Sequence, residues 1–214
     1  MQLLLGIKGI KRSGKDTVAN LLIKEFGFKR ISFADALYQE VADLFGVTTD
    51  FLRKDATKEK PLKELELSKI LSKDKRFVAH CISKGGMYLT HMYSPRIMLQ
   101  QYGDYKRVSV SEQYWSDQVF NEIKANPTQH YCIADVRYKN EYALVEASNG
   151  TMIEVYCEPI YNKWYEAYKQ GRPEATHISE TDLMNHKTKI QLTNVWGDMN
   201  ALHEQVRQLM KTLL

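Results

Sequence analysis

Apolar residues occur along the chain in short runs that alternate with longer segments of helical periodicity. The short runs have the length and character of strands, and they cover residues 3–8, 28–33, 130–134, 151–156 and 189–192. The helical spacing covers residues 16–26, 36–45, 95–105, 111–124, 139–148 and 199–214. Because strands and helices alternate, the pattern predicts an α/β fold with a mostly parallel five-stranded sheet flanked by helices.

Two polar segments interrupt this alternation. Residues 53–76 are dense in charge and carry leucines, which predicts a surface helical insertion whose lysines form a solvated face. Residues 158–186 contain two prolines and a glycine, which predicts a long loop or lid with some helix. Ser94 and Pro95 are a typical N-cap and first residue of a helix.

Composition limits the classes of protein to consider. The 214 residues are 43% hydrophobic and 26% charged, which suits one domain with inserted subdomains and a packed core. A net charge of +4 suits an anionic small substrate as well as it suits nucleic acid. The three cysteines lack metal-binding spacing, so we expect reduced thiols in a cytoplasmic protein. The sequence has no signal-peptide pattern and no long apolar run, so we expect the protein to be neither secreted nor membrane-spanning.

The segment GIKRSGKD, which begins at Gly9, matches the phosphate-loop pattern G-x-x-x-x-G-K-S/T except at its last position. It follows a predicted strand and precedes a predicted helix, which is the context that this motif requires. Gly9 and Gly14 allow sharp turns that point N–H groups at phosphate oxygens, and Lys15 can reach the terminal phosphates of ATP. The other loop residues expected to bind ATP are Lys11, Arg12 and Ser13.

Asp16 stands where the motif has Ser or Thr. A carboxylate is a hard oxygen ligand, so Asp16 can hold Mg²⁺ directly or through water, and Thr17 can add a hydroxyl. The alternative is that Asp16 is only a first-turn helix acid. Asp135 closes a predicted buried strand, where P-loop enzymes place an acid that organises magnesium; the alternative is a helix cap.

Four segments of the chain carry a resemblance to one family. They are GIKRSGKDT, PRIMLQQYGDYKR at residues 95–107, CIADVRYKNEY at 132–142 and THISE at 176–180. Together they resemble the bacteriophage deoxynucleoside monophosphate kinases, within the wider P-loop nucleoside monophosphate kinase family. The resemblance implies a P-loop NTPase-type three-layer fold and Mg²⁺-dependent transfer of the γ-phosphoryl group of ATP to the 5′-phosphate of a deoxynucleoside monophosphate.

The same resemblance implies roles on the acceptor side of the site. Arg96 would grip the acceptor phosphate, and Gln100, one turn further along the helix, would read the base edge. Arg137, after the predicted third strand, would bind a phosphate, and Asp35 would lie near the acceptor sugar or phosphate. Trp115 would stack on the base or belong to the core. The alternatives for the others are solvated surface positions or, for Asp35, a helix cap.

Further roles are implied for the lid and the last strand. Lys163, Lys169 and Arg172 are lid cations, and Arg172 is the one expected to act on the phosphates. Asn194 follows the last strand, where similar kinases form the edge of the adenine site. His177 is expected to fix a loop through a hydrogen bond.

The resemblance implies a single kinase domain over residues 1–214, with an acceptor-binding helical region at about 33–125 and a lid at about 158–186. Its expected partners are ATP and deoxynucleoside monophosphates, in the cytoplasm (of the host, if the protein is phage-encoded). Neither binding to a membrane nor stable binding to nucleic acid is expected, and the sequence leaves open whether the protein is a homodimer.

Two alternative functions remain: a P-loop kinase for another phosphorylated metabolite, such as a phosphomevalonate-like acceptor, and a non-catalytic module that binds nucleotide or nucleic acid. The lack of RNP, OB or helix-turn-helix signatures argues against nucleic-acid binding.

Overall fold

The computed structural model describes residues 2–176 and 178–214. Its strands form one sheet and are β1 (Leu4–Lys8), β2 (Lys29–Ile31), β3 (Tyr131–Ile133), β4 (Thr151–Tyr156) and β5 (Ile190–Thr193). The order is β2-β3-β1-β4-β5, and every neighbouring pair is parallel. The predicted five-stranded sheet is therefore confirmed, and it is wholly parallel within the described residues.

Helices connect the strands and flank the sheet. They are α1 (Lys15–Phe26), α2 (Phe33–Phe45), α3 (Thr49–Arg53), α4 (Lys75–Gly85), α5 (Pro95–Ser109), α6 (Tyr114–Ala125), α7 (Lys139–Ala147), α8 (Glu158–Lys169), α9 (Pro173–Thr176), α10 (Ile178–Thr181) and α11 (Met199–Leu213). The six predicted helices are present, and the largest shift is in α5, which continues to Ser109. Ser94 caps α5 by accepting a hydrogen bond from the backbone N–H of Ile97, as its position predicts.

The central strand shows how the layers arise. Leu5 and Ile7 of β1 are buried in one cluster with apolar residues of α1 and α11. Gly6 lies between them and faces the other side, where a Cβ added to it would lie 3.1 Å from the side chain of Val145 on α7. Because neighbouring residues of a strand point to opposite faces, this alternation places helices on both faces of the sheet. The result is the α/β arrangement with flanking helices that the sequence pattern predicts, in the three layers that the family resemblance implies.

The chain divides into two compact units. The first holds the sheet and consists of the described residues up to Ser32 and from Asn121 onwards. The second is Phe33–Phe120 and is mainly helical. Its own apolar core includes Tyr38, Val41, Phe45, Leu52, Leu65, Leu67, Ile70, Phe77, Met98, Tyr102 and Trp115. The residues expected to bind the acceptor therefore belong mostly to a unit with a core of its own.

The prediction of a surface helix over residues 53–76 is wrong. The segment contains only two short 3-10 turns, Lys63–Leu65 and Leu67–Ile70, before α4 begins. Leu65 and Leu67 are both fully buried, and residues two apart would lie on opposite faces of an α-helix. The chain therefore winds irregularly to bury both of them. Its lysines are solvated as predicted, and the exposed ones include Lys54, Lys60, Lys63, Lys69 and Lys73.

The segment at 158–186 is more helical than predicted. Most of its first part is α8, which carries aromatic rings at helical spacing. Tyr161 stacks on Tyr165 with ring centroids 6.0 Å apart, and Trp164 stacks on Tyr168 at 5.6 Å. Positions i, i+3, i+4 and i+7 form one helix face, so this spacing is a helical signal that the prolines and polar residues obscure. Among the residues that the structure describes, no helix is long and apolar enough to cross a membrane.

Candidate phosphate-binding site

The loop between β1 and α1 has a backbone that requires its two motif glycines. Gly9 and Gly14 adopt φ of +147° and +112°, values that side chains disfavour, and Arg12 also has a positive φ of +71°. A Cβ on Gly9 would lie 2.5 Å from the carbonyl oxygen of Val155, and one on Gly14 would lie 2.7 Å from Nδ2 of Asn194. Both positions are thus restricted to glycine by conformation and by space.

Asn194, which directly follows β5, contacts this loop and supports its shape. Its Nδ2 donates a hydrogen bond of 2.8 Å to the carbonyl oxygen of Ser13, and its backbone N–H donates to the carbonyl of Tyr156 at 2.7 Å. Asn194 is only 9% exposed. The structure therefore gives its amide a contact with the phosphate loop, and the predicted role at the adenine edge stays a prediction.

Lys15, the first residue of α1, folds back over the loop. Its Nζ donates to the carbonyl oxygens of Gly9 and Ile10 at 2.6 and 2.7 Å. Burial, and secondly the charge of Arg137, lower the pKa of Lys15 from 10.5 to about 8. An anion that replaced the two carbonyls would restore favourable surroundings for the ammonium group, so the site is suited to phosphate.

The predicted charged residues gather around Lys15. The carboxylates of Glu180, Asp16 and Asp135 act to raise the pKa of Lys15, against the burial and the charge of Arg137. These groups come from α1, α10 and the residues after β3. Since β1 and β3 are parallel neighbours, the segments that follow them meet at the carboxyl edge of the sheet.

Asp135 and Asp16, the two predicted magnesium acids, each have a partner. Oδ2 of Asp135 accepts a hydrogen bond of 2.5 Å from the hydroxyl of Ser32, which follows β2. Asp16 is exposed and forms an ion pair of 2.6 Å with Arg30 on β2. Neither Ser32 nor Arg30 belongs to a recognisable motif. They lie near the phosphate loop because β2 pairs with β3 in the sheet.

The donor groups fit Mg²⁺, although the described residues form no complete protein cage for it. Asp16, Thr17 and Asp135 offer hard oxygen atoms, the ligand type that Mg²⁺ prefers. Across residues 2–176 and 178–214, no group of three His, Cys, Asp or Glu side chains is placed to hold a metal ion. Since Mg²⁺ in phosphotransfer sites is bound by one or two carboxylates plus water and phosphate oxygens, this arrangement suits an ion that arrives with a nucleotide.

The turn that carries Arg137 is fixed by local and distant acids. Oε2 of Glu141 accepts hydrogen bonds from the backbone N–H groups of Arg137 and Tyr138, at 2.8 and 3.2 Å. Nη1 of Arg137 forms an ion pair of 2.6 Å with Oε1 of Glu180. The sequence contains Glu180 in the THISE motif, but its partner could not be read from the motif.

A cavity of about 620 Å³, counting its open mouth, adjoins the loop. Its charged lining comes from Lys8, Arg137, Glu154 and Glu180. Its other residues are Gly9, Ile10, Val136, Val155, Tyr156, Cys157, Tyr161, Trp164, Leu183 and Met184. The cavity places Arg137 and Glu180 beside the start of the phosphate loop, under residues of the predicted lid.

The predicted lid cations are on the surface. Arg172 is exposed and lies between α8 and α9, and Lys163 is exposed on α8. Lys169 pairs with Glu166 at 2.5 Å. The interpretation of His177 falls on a residue outside those that the structure describes. A phosphate contact by Arg172 therefore stays a prediction.

Except for Arg137, the predicted acceptor residues lie in the helical unit. Arg96 and Gln100 are exposed one turn apart on α5, as predicted, and Arg96 forms an ion pair with Glu59. Asp35 pairs with Arg53 at 2.7 Å. Arg96 and Asp35 therefore each hold an ion-pair partner in this structure.

Trp115 does not fit the stacking role. It is 4% exposed, its Nε1 donates to the carbonyl oxygen of Gly103 at 3.2 Å, and Tyr114 packs edge-on against it at 4.8 Å. A base needs an accessible ring face, so the stacking prediction is wrong and Trp115 belongs to the core of the helical unit. Trp196, two residues after Asn194, is by contrast 63% exposed, and the sequence prediction did not include it.

The remaining loop side chains point to solvent or into the protein. Lys11 and Arg12 are exposed, whereas Ser13 is buried and its hydroxyl has no hydrogen-bond partner among the described residues. Lys11 and Arg12 are thus available to a ligand, while Ser13 can reach it only through its backbone.

The similarity to known proteins is one of fold alone. No family model matches the chain, and no curated protein matches it in sequence. The dephospho-CoA kinase from Campylobacter jejuni is similar in structure, with a TM-score of 0.51 and 14% identity over 100% of this chain and 98% of that one. TT1252 from Thermus thermophilus has a TM-score of 0.48 and 14% identity, with the same coverage. The five-stranded parallel sheet with flanking helices is thus an α/β fold of the P-loop NTPase type.

Proposed function

We propose that the protein transfers the γ-phosphoryl group of ATP to the 5′-phosphate of a deoxynucleoside monophosphate. The observation that carries the proposal is the position of Lys15, which lies in a glycine-restricted loop and is influenced by the charges of Arg137 and Asp135 at the carboxyl edge of a parallel sheet. Open parallel sheets bind ligands at this edge, and a loop followed by a helix N-terminus favours phosphate.

Phosphoryl transfer requires placement and positive charge more than covalent chemistry. An oxygen of the acceptor phosphate attacks the γ-phosphorus, the bond to the β–γ bridging oxygen breaks, and its electron pair leaves on ADP. No general base is needed because the acceptor oxygen is already an anion. Lys15 exchanges the carbonyls of Gly9 and Ile10 for phosphate oxygens, and Arg137 binds charge that spreads over the transferred group.

Magnesium would be held by Asp16, Thr17 and Asp135 together with oxygens of the nucleotide. The bound ion would neutralise charge on the β- and γ-phosphates. The exposed ion pair between Asp16 and Arg30 is a weak interaction, so Asp16 can exchange it for a ligand at little cost. Ser32 orients the carboxylate of Asp135 through its hydrogen bond.

The acceptor contacts are proposed from the family resemblance. Arg96 would exchange Glu59 for the acceptor phosphate, and the amide of Gln100 offers both a donor and an acceptor to a base edge. Arg137 is the second arginine proposed to bind the acceptor phosphate. The exposure of Arg96 and Gln100 on one face of α5 supports this assignment.

Water must be kept from the γ-phosphate, since otherwise ATP would be hydrolysed. The segment 158–186 is the proposed lid, and Arg172 is the cation proposed to close over the phosphates.

An alternative acceptor is another phosphorylated metabolite. The observation that favours it is the similarity in fold to a dephospho-CoA kinase. In addition, residues 47–93 contain no motif that identifies a nucleobase pocket. This alternative keeps the phosphate loop and its chemistry and changes only the acceptor.

An ADP-release assay separates these functions. Wild type and Lys15→Ala would be assayed with ATP, Mg²⁺ and, in turn, each deoxynucleoside monophosphate, each ribonucleotide and dephospho-CoA. Turnover with deoxynucleotides that Lys15→Ala abolishes supports the proposal. Turnover with dephospho-CoA alone supports the alternative, and ATP binding without turnover on any acceptor would indicate a non-catalytic nucleotide-binding protein.

A further inference from the structure

Two acids that follow α9 contact the segment after β3: Glu180 contacts Arg137, and Asp182 contacts Lys139. Glu180 pairs with Nη1 of Arg137 at 2.6 Å. Asp182 accepts a hydrogen bond of 2.8 Å from the backbone N–H of Lys139 and pairs with the Nζ of the same lysine at 3.5 Å. The two side chains are 14% and 19% exposed, so both carboxylates are largely removed from water. The two acids are similarly buried, and each is equally far in sequence from the residue that it contacts. Of the two, only Glu180 contacts the candidate phosphate site.

The segment that carries these acids has a separate anchor. The buried Lys8 at the end of β1 donates through Nζ to the carbonyl oxygens of Leu183, at 3.4 Å, and His186. Its Nζ also lies 3.3 Å from Oε1 of Glu154 on β4. Because these contacts do not involve Glu180, the position of the segment does not depend on the ion pair with Arg137 alone.

The charge of Glu180 compensates a crowded pair of cations. The positive charge of Arg137 disfavours the protonated form of Lys15, and the negative charge of Glu180 favours it. Two cations beside each other in a partly buried site need a nearby anion when no ligand is bound. Glu180 provides that anion from the lid segment.

We propose that Glu180 is an internal counter-ion, which holds the Arg137 guanidinium in place in the empty site and yields it to the incoming phosphate. This inference rests on the proposed function, in that it takes Arg137 to be a phosphate ligand. It adds a regulatory element to that site: a carboxylate of the lid segment and a phosphate compete for the same guanidinium. Glu180 is therefore a positioning residue that lowers the affinity for phosphate.

The competition has a definite direction. A phosphate brings more charge and more acceptor oxygens to a guanidinium than one carboxylate does, and it can bind two N–H groups of the fork at once. The carboxylate of Glu180 would also repel the phosphate while it stays nearby. Removal of its charge, with the side-chain shape retained, should therefore strengthen anion binding. A purely structural role would predict the opposite, because loss of the contact would disorder Arg137.

The test is calorimetric titration of inorganic pyrophosphate, without divalent cations and at low ionic strength, into wild type, Glu180→Gln and Asp182→Asn. We expect Glu180→Gln to bind pyrophosphate at least ~5-fold more tightly than wild type, and this gain to shrink as salt is added. Asp182→Asn removes an equally buried carboxylate of the same segment, and we expect its affinity to stay within about 2-fold of wild type. In a second pair, the gain from Arg137→Gln to Arg137→Gln/Glu180→Gln should be smaller than the gain from wild type to Glu180→Gln, because only the direct repulsion of the phosphate by Glu180 is then removed.

Each outcome supports or overturns the inference. Equal or weaker binding by a folded Glu180→Gln protein, with folding checked by circular dichroism, overturns it. An equal gain in Asp182→Asn overturns it as well, since the effect would then be one of net charge. Pyrophosphate binding that is the same in wild type, Glu180→Gln and Asp182→Asn but weaker in Arg137→Gln leaves the proposed function intact while removing this inference, whereas no binding to any variant overturns both.

Discussion

The side-chain amide of Asn194 donates a 2.8 Å hydrogen bond to the carbonyl oxygen of Ser13 and so ties the segment after β5 to the phosphate loop. These two residues are far apart in the sequence. The same amide fills the space in which a side chain at Gly14 would lie. The shape of the loop thus depends on a buried amide that comes from the other end of the chain.

Asn194→Ala should loosen the loop and weaken ATP binding. It leaves the Ser13 carbonyl without its partner, which should lower the free energy of unfolding by about 1–3 kcal/mol. Gln205→Ala is the matched control, because Gln205 bonds both backbone groups of the adjacent Thr193 and does not touch the loop. Denaturant unfolding and ATP titration should show a stability loss in both variants and weaker ATP binding only in Asn194→Ala. Unchanged ATP affinity in that variant would contradict the bracing role.

Gly14→Ala should abolish nucleotide binding. The new Cβ would lie 2.7 Å from Nδ2 of Asn194, in a backbone with φ of +112°. Gly27→Ala is the control: its φ is +67°, and nothing lies within 4 Å of the added methyl group. We expect the control to cost only about 1–2 kcal/mol of stability and to bind ATP normally. Similar ATP affinities in the two variants would argue against the steric account.

The pH dependence of phosphate binding should report the protonation of Lys15. Its pKa is lowered to about 8 in the empty site, so the cost of burying its charge is present below pH 8 and is relieved between pH 8 and its ordinary value of 10.5. A bound phosphate raises this pKa, so binding takes up a proton in that window and the affinity falls as the pH rises above about 8. Metal-free pyrophosphate titrations at pH 8.5, in two buffers of different ionisation enthalpy, measure the uptake. Lys15→Met should show less uptake than wild type, because the exchange that remains belongs to the pyrophosphate itself, and equal exchange in the two proteins would contradict the assigned role.

Asp16→Asn should lower the apparent affinity for Mg²⁺ in the ATP-dependent reaction, and excess Mg²⁺ should restore part of the rate. The amide keeps a neutral oxygen but loses the charge that attracts the ion. Asp16→Ser should retain more activity than Asp16→Ala, because a hydroxyl can still bind a hard cation. Arg30→Gln serves as a comparison, since it removes the partner of Asp16 and keeps the carboxylate. If the magnesium titration of folded Asp16→Asn matches wild type, Asp16 is only a first-turn helix acid.

Arg96→Ala should weaken the use of a deoxynucleoside monophosphate at least ~10-fold in kcat/KM while ATP binding survives, because a charged hydrogen bond to the acceptor phosphate is lost. Trp115→Phe is the control from the same unit. It removes the hydrogen bond to Gly103 and part of a core ring, so we expect lower stability and an unchanged KM for the acceptor. Separate titrations of ATP and acceptor decide the matter. Equal loss of both ligands in Arg96→Ala would place Arg96 outside the acceptor site.

The sequence by itself was sufficient for the elements whose determinants are local. The apolar runs and helical spacings identify the five strands and the main helices, because periods of two and 3.6 residues decide which faces are buried. Gly9, Gly14 and Lys15 identify the phosphate loop, because the turn needs a backbone that only glycine adopts easily. Ser94 marks the start of α5 for an equally local reason, a side-chain cap on a free N–H group.

Only the tertiary structure decided which of the candidate residues meet and which are buried. Trp115 and Leu65 lie in the core of the helical unit although their neighbours in sequence suggest a surface. Glu180 reaches Arg137, and Asn194 reaches Ser13, through contacts between segments that are remote along the chain. Such contacts follow from strand order and helix packing, which bring distant segments to one edge of the sheet. The sequence around each of these residues contains no pattern that predicts which distant residue it contacts.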